Sequence, residues 1–393
     1  MGARLAGLLM ALVLLGVPAF AAPTAAAADP GDPGSGWRSA PVASGNASSQ
    51  PCASLMFVGV RGSGETAPYG TTVTGIRDGL ASRWAGRGTV RQVWLDYPAA
   101  DPLTLKSASM SALLLDDPMP STPYFDSARI GAERLSALLT GQSKRCPKEW
   151  VVLAGFSQGA QAITEALART DTSSRLAGAI LAGNPDHHPG QNAQELSGTA
   201  PLTSIGLSAL LYYLRGRVEQ VGGNRDTQVK TLIQTTIDIH NGSYNLVQAR
   251  AAVTKHHALI PATAYPNTYS VCLSGDPVCD ATPAMTRILT MQSTFDSELA
   301  QGLPTHRKYT TQLLAATLDA VAKRANTVAA AASQGRPVPH GQQLDSTRTP
   351  RPAWGRPQIL VAVGAGLAGL AIGIATGVLG HARRAGSPRH QKE

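Results

Sequence analysis

Apolar positions fall into two rhythms along this chain. Short, largely apolar runs at 54–60, 150–154 and 177–182, and the more mixed stretches 90–97 and 268–273, have the length of strands. The stretches 128–139, 158–169 and 309–325 read instead as helices; in the last, Leu313, Leu314, Leu318 and Val321 recur at the spacing of one helix face. Strands that are apolar without alternation are covered on both sides. Strands alternating with helices therefore predict an α/β fold of three layers (α/β/α) around a central, mostly parallel sheet. No internal repeat is visible.

The two ends depart from this pattern. Arg4 precedes an apolar stretch from Leu5 to Phe20, followed by small-residue sites at Ala19-Phe20-Ala21 and Ala26-Ala27-Ala28. Residues 1–28 thus read as a secretory signal peptide. Residues 29–50, rich in Gly, Pro, Ser and Ala, read as a flexible leader, and residues 51–332 as the folded domain. Five prolines between 333 and 357 mark a linker. Residues 359–379 then contain no charge. At about 1.5 Å per residue such a helix would be roughly 30 Å long, enough to span a bilayer core. With an exported N-terminus, this transmembrane helix would leave the basic tail 380–393 in the cytoplasm and the domain on the extracellular face of the cell membrane. Gly369, Gly373 and Gly377 have a spacing that supports weak helix-mediated self-association.

The formal net charge is +9 over 393 residues. Residues 307–393 hold 12 basic and 3 acidic side chains, so the whole excess lies beside the proposed membrane segment. The remainder is neutral, which argues against a nucleic-acid partner and for attraction to anionic lipid. Four cysteines, Cys52, Cys146, Cys272 and Cys279, in an exported chain point to two disulfides, with three possible connectivities. They lack paired metal-ligand spacing.

The candidate chemistry centres on Gly155-Phe156-Ser157-Gln158-Gly159, between the strand at 150–154 and the helix that follows. Glycines beside a serine at a strand–helix turn are the pattern of a nucleophile elbow. The turn lifts the hydroxyl to a helix N-terminus, where backbone N–H groups can hold an oxyanion. A serine nucleophile needs a base and an acid that orients it. In the fold class that carries this elbow they follow in the order acid, then histidine. Asp276 lies in a cysteine-flanked loop, Cys272-Leu273-Ser274-Gly275-Asp276-Pro277-Val278-Cys279, and His306 is the histidine between it and the linker. His256 and His257 precede Asp276 and would break that order. The sequence Asp186-His187-His188 invites a metal reading, but adjacent histidines on a strand point to opposite faces, and these residues are expected on the surface.

Together these residues resemble a family. Cys52, the turn Arg61-Gly62-Ser63-Gly64-Glu65, the elbow, the cysteine-flanked Gly275-Asp276 and His306-x-x-Tyr309 look like the cutinases, most of all their actinobacterial branch, over residues 51–326. The resemblance implies a small α/β-hydrolase fold with a five-stranded parallel sheet. It implies a Ser157–His306–Asp276 triad, with an oxyanion hole from the N–H groups of Ser63 and Gln158. It implies disulfides Cys52–Cys146 and Cys272–Cys279, and chemistry without metal or organic cofactor. The substrates it implies are carboxylic esters: polyesters, short to medium acyl esters and, in some members, lipids or acetylated xylan.

Two stretches depart from the family pattern. Asp276 and His306 are further apart than in compact members, and 285–299 reads as an added helix. The segment of about 190–266 is a long insertion with apolar runs, read as helical. It is either a lid over the site or a pair of helices packed on the flank. The function expected is that of an exported, membrane-anchored serine esterase. The alternatives are a phospholipase, thioesterase or acyltransferase acting on envelope lipid, or an inactive surface protein.

Overall fold

A computed structural model of the chain describes residues 34–45, 50–172 and 174–334, together with 336 and 338. The expected signal peptide, the proline-rich stretch beyond residue 338, the apolar segment 359–379 and the basic tail lie outside the described residues. Among the described residues no helix is long and apolar enough to cross a membrane.

Among the described residues the sheet has six strands, in the order β1-β3-β2-β4-β5-β6. They are β1 (Val42–Ser44), β2 (Leu55–Val60), β3 (Val90–Trp94), β4 (Trp150–Phe156), β5 (Leu176–Ala182) and β6 (Thr268–Val271). Every pairing is parallel. The expected five strands are therefore corrected to six. The extra one, β1, comes from the stretch read as a leader. It pairs with β3 at the sheet edge because the residues before it are anchored: Trp37 is buried, with its ring edge-on to Trp84 and Phe57. Gln92 Nε2 also donates to the carbonyls of Trp37 and Ala40.

Among the described residues, eleven α-helices surround the sheet. After α1 (Ser35–Arg38) come α2 (Gly70–Ala81), α3 (Met110–Leu115), α4 (Pro123–Arg145) and α5 (Gln158–Arg169). The insertion is helical, as expected: α6 (Leu207–Val221), α7 (Arg225–His240) and α8 (Leu246–Lys255). Then follow α9 (Thr282–Leu289), α10 (Phe295–His306) and α11 (Ala315–Ser333). Alternate strand residues divide the core. Phe57, Val152, Ala154 and Ile180 face α2 and α11, whereas Val58, Leu153, Ala179 and Leu181 face α4 and α5. A third apolar cluster joins α6, α7 and α8 to α3 and α9. Both disulfides form as the resemblance implied, Cys52–Cys146 and Cys272–Cys279.

Topology places the site. The chain leaves β2 toward β3 on one side and leaves β4 toward β5 on the other. The loops at the carboxyl ends of these neighbouring strands diverge and open a crevice between them. Ser63 follows β2 and Ser157 follows β4.

Candidate active site

Ser157 joins β4 to α5 with φ +54° and ψ −124°, a backbone that few L-residues adopt. The flanking glycines are required by contact. A Cβ on Gly155 would lie 2.6 Å from the Gly159 carbonyl oxygen, and one on Gly159 would lie 2.2 Å from that of Val60. Both obstacles are backbone, so neither can swing aside. Strain of this kind persists only where the surroundings hold it, and it marks functional positions.

The turn after β2 is clamped from two sides. Arg61 donates from Nη2 to the Tyr97 carbonyl at 2.7 Å and from Nε to the Glu65 carbonyl at 2.9 Å. Tyr97 returns a hydroxyl bond to the Arg61 carbonyl at 2.6 Å. The Glu65 carboxylate accepts from the Gly62 N–H at 2.7 Å and the Thr71 N–H at 3.0 Å, tying the turn to the start of α2. Ser63 sits inside this clamp. Gln158 opens α5, where N–H groups lack an intrahelical acceptor. Its side chain is turned inward: Oε1 accepts from Ser127 Oγ and Nε2 donates to the Tyr124 carbonyl, each at 2.9 Å.

Asp276 and His306 come together although they are 30 residues apart. His306 Nδ1 lies 2.9 and 2.8 Å from the two carboxylate oxygens of the buried Asp276. Tyr309 Oη donates to Oδ2 at 2.5 Å, and the Val278 N–H donates to Oδ1 at 2.8 Å. Burial pushes the Asp276 carboxyl up. The neighbouring His306, with the hydrogen bonds from His306, Tyr309 and Val278, outweighs it and holds the group below its usual value. Asp276 is therefore a carboxylate and accepts, so His306 Nδ1 carries the proton and Nε2 offers its lone pair. Burial, and then the Asp276 charge, raise the Tyr309 hydroxyl well above its usual value, which keeps it a donor. Phe156 stacks on the His306 ring at 4.7 Å between centroids. Gly183, with φ +58°, leaves the space the imidazole occupies; a Cβ there would lie 2.9 Å from His306 Cε1.

Ser63, Ser157 and His306 line one cavity of about 1100 Å³. Much of its wall comes from α2, the 3₁₀ turn Pro102–Ser107, α9 and α10, with Tyr124, Pro277 and Val278 beside them. From the insertion only Leu207 lines it, so α6–α8 pack mainly on the flank. His256 and His257 are not among the lining residues; His256 stacks on Tyr212 at 4.0 Å.

Three residues important to the geometry carried no distinct sequence signal. Glu65 and Tyr309 stood in the quoted motifs without a role, and Phe156 was the variable position of the elbow. The Asp186-His187-His188 stretch is corrected: all three side chains are buried, not on the surface. His187 Nδ1 is bonded to Ser270 Oγ and Gln191 Nε2, and His188 Nδ1 to the Asp186 carbonyl.

The family model described as Cutinase matches residues 51–294, more than half of the chain. The chain belongs to the cutinase family. A curated cutinase from Botryotinia fuckeliana is 25% identical over 145 residues, covering 36% of this chain and 62% of that protein. The chain thus spans about three-fifths of that relative's length. Among solved structures, a cutinase-like protein from Cryptococcus sp. is 17% identical with a TM-score of 0.38, covering 74% of this chain and all of that one. The catalytic core of an acetyl xylan esterase from Trichoderma reesei is 16% identical with a TM-score of 0.39, covering 70% and 98%. The cutinase match ends at residue 294, before His306, so the pairing of His306 with Asp276 rests on the geometry above. Membership identifies a carboxylic ester hydrolase family, and the two disulfides fit an oxidising, exported setting.

Proposed function

We propose that this protein is an exported serine esterase in which Ser157, His306 and Asp276 act as nucleophile, base and orienting acid. His306 Nε2 takes the proton from Ser157 Oγ as Oγ attacks the ester carbonyl. The N–H groups of Ser63 and Gln158 receive the oxyanion, at rigid positions where charge develops. Collapse breaks the carbonyl–alkoxy bond, and His306 returns the proton to the departing alcohol. Water, deprotonated by His306, then attacks the acyl-serine, and Ser157 leaves with that proton as the acid is freed. Asp276 keeps Nδ1 protonated and supports the imidazolium charge.

The observation carrying this reading is the buried, three-donor seat of Asp276 beneath His306, in the cavity that also holds the strained Ser157. Labelling of the purified protein by a fluorophosphonate tests it. Labelling and p-nitrophenyl ester hydrolysis are both expected, and both should vanish in Ser157→Ala. An unlabelled, inactive wild type would favour an inactive surface protein. Residues 1–28 and 359–379 are proposed as signal peptide and membrane anchor on composition alone. Fractionation of the full chain against one ending at residue 338 checks the anchor: the first should sediment with membranes and the second should not.

A further inference from the structure

We infer that the insertion acts on catalysis from behind the site: its segment 198–207 holds the loop that carries Asp276, and Asp280 with Ser204 forms a positioning pair for that acid. This rests on the serine-esterase reading and adds two residues to it that touch no substrate.

Asp276 must keep one orientation for both its oxygens to face His306 Nδ1. The Cys272–Cys279 disulfide closes the loop around it, but a closed loop can still tilt as a unit about the end of β6. The insertion fastens that loop at three levels. At the entry, the Thr199 and Ala200 N–H groups donate to the Cys272 carbonyl at 3.0 and 3.1 Å, and the Ser274 N–H donates to Thr199 Oγ1 at 3.0 Å. Gly198 comes so near that a Cβ there would lie 2.4 Å from the same carbonyl oxygen. In the middle, the Leu207 N–H donates to the Val278 carbonyl at 2.8 Å. Val278 is the residue whose own N–H seats Asp276 Oδ1. At the exit, the Ala281 N–H donates to the Ile205 carbonyl at 2.8 Å, and Ile205 is buried in the cluster that joins α6 to α9.

Asp280 gathers these contacts. Its side chain is buried; Oδ1 accepts from Ser204 Oγ at 2.8 Å and Oδ2 from the Gly275 N–H at 3.0 Å. Its own N–H donates to the Asp276 carbonyl at 2.8 Å. Asp280 therefore grips the backbone on both sides of the acid, and Ser204 ties that grip to the insertion. Ser204 is buried too, and a turn sets it, its N–H donating to the Pro201 carbonyl at 2.9 Å. In so buried a group, losing one donor leaves an acceptor unpaired, which is costly. The far side of the segment is held as firmly. The Gly206 N–H donates to the His187 carbonyl at 2.7 Å, and the Ser208 N–H to the Pro185 carbonyl at 3.0 Å. The insertion thus bridges the loops that follow β5 and β6 and gives the acid loop a fixed support. Neither Asp280 nor Ser204 lines the cavity, so any effect on rate must pass through Asp276.

The test compares Asp280→Ala, Asp280→Asn and Ser204→Ala with wild type, as full chains, on one p-nitrophenyl ester. Asp280→Ala should lower kcat by about tenfold or more and Ser204→Ala by about three- to tenfold, each with KM changed less than about threefold. Asparagine can accept the Gly275 N–H through its oxygen and donate to Ser204 Oγ through its nitrogen, so Asp280→Asn should recover most of the loss. A second reading needs no turnover. The low-field proton NMR signal of His306 Nδ1–H, bonded to Asp276, should move upfield in Asp280→Ala and Ser204→Ala and stay in place in Asp280→Asn. Lowered melting temperatures with kcat and this signal unchanged overturn the inference, as does Asp280→Asn as slow as Asp280→Ala. If Asp280→Ala does not fold, Ser204→Ala decides by the same two readings. A wild type that hydrolyses no ester sinks only the esterase reading, because the proton signal still reports how Asp276 is seated.

Discussion

Tyr309 Oη and His306 Nδ1 bind the same oxygen of Asp276, at 2.5 and 2.8 Å. The acid thus has two side-chain donors, and the tyrosine fixes which way its carboxylate plane faces. Tyr309 is a positioning residue, since it meets the imidazole through Asp276. Tyr309→Phe removes a hydrogen bond to a charged group, in the range of about 1.5–3 kcal/mol. The expected outcome is kcat lower by about tenfold with KM changed less than threefold, and the pH–rate profile displaced. Steady-state kinetics on one ester across pH 5–9 check this; a changed melting temperature with an unmoved profile would leave only a structural role.

Glu65 acts on the other half of the site. One carboxylate oxygen takes the Gly62 N–H and the other the Thr71 N–H. Glutamine keeps the shape but has one acceptor oxygen, so its amide nitrogen would face an N–H. In Glu65→Gln the turn carrying Ser63 should loosen. Because an oxyanion hole acts in the transition state, kcat should fall by about 10- to 100-fold while KM stays nearly constant. A matching rise in KM with kcat preserved would count against the role.

The two disulfides should separate stability from activity. Cys52–Cys146 closes a loop of 94 residues, and Cys272–Cys279 one of 7. Chain entropy gives about 4–5 kcal/mol for the first and about 2–3 for the second. Only the second encloses Asp276. Replacing Cys52 and Cys146 by serine should lower the melting temperature more, yet leave kcat at low temperature almost intact. Replacing Cys272 and Cys279 should cost less stability and more kcat. Calorimetry and kinetics on both double variants decide.

The elements of this molecule differ in how much of their order is local to the sequence. The central strands were legible because β2, β4 and β5 are buried on both faces and so are apolar throughout. The elbow was legible because backbone contact admits only glycine at 155 and 159. Strand β1 was hidden, since an edge strand of three residues needs no apolar run and draws its order from Trp37 and Gln92, far apart in sequence. Helix α2 was missed because its pattern is diluted by threonine and glycine; its start is tied to Glu65, and Gly79 lies against Leu318 of α11. The expected helix at 309–325 begins later, at Ala315, after Tyr309 has turned inward to Asp276. The partnership of Asp276 with Tyr309 could not be read from spacing, because it depends on how two loops fold onto β6.

A last expectation concerns pH. Glu165 on α5 is buried, and burial raises its carboxyl to about 7 against the pull of Arg169. Asp186, buried beside it with neither oxygen hydrogen-bonded among the described residues, is pushed up in the same direction, by burial and then by Glu165. A carboxyl raised in the folded state stabilises fully below its unfolded value near about 4.3. That stability is lost as pH rises through the folded value, because the unfolded chain gives up its proton more easily. Wild-type stability should therefore fall as pH rises from about 4.5 through 7. Glu165→Gln removes its share of that slope and should be more stable than wild type at pH 8 by about 1–3 kcal/mol, part being offset by the lost Arg169 contact. Urea denaturation of both proteins at pH 5 and pH 8 checks this. If the variant is less stable than wild type at pH 8, Glu165 is a charged partner of Arg169 in the folded protein and not a buried acid held neutral.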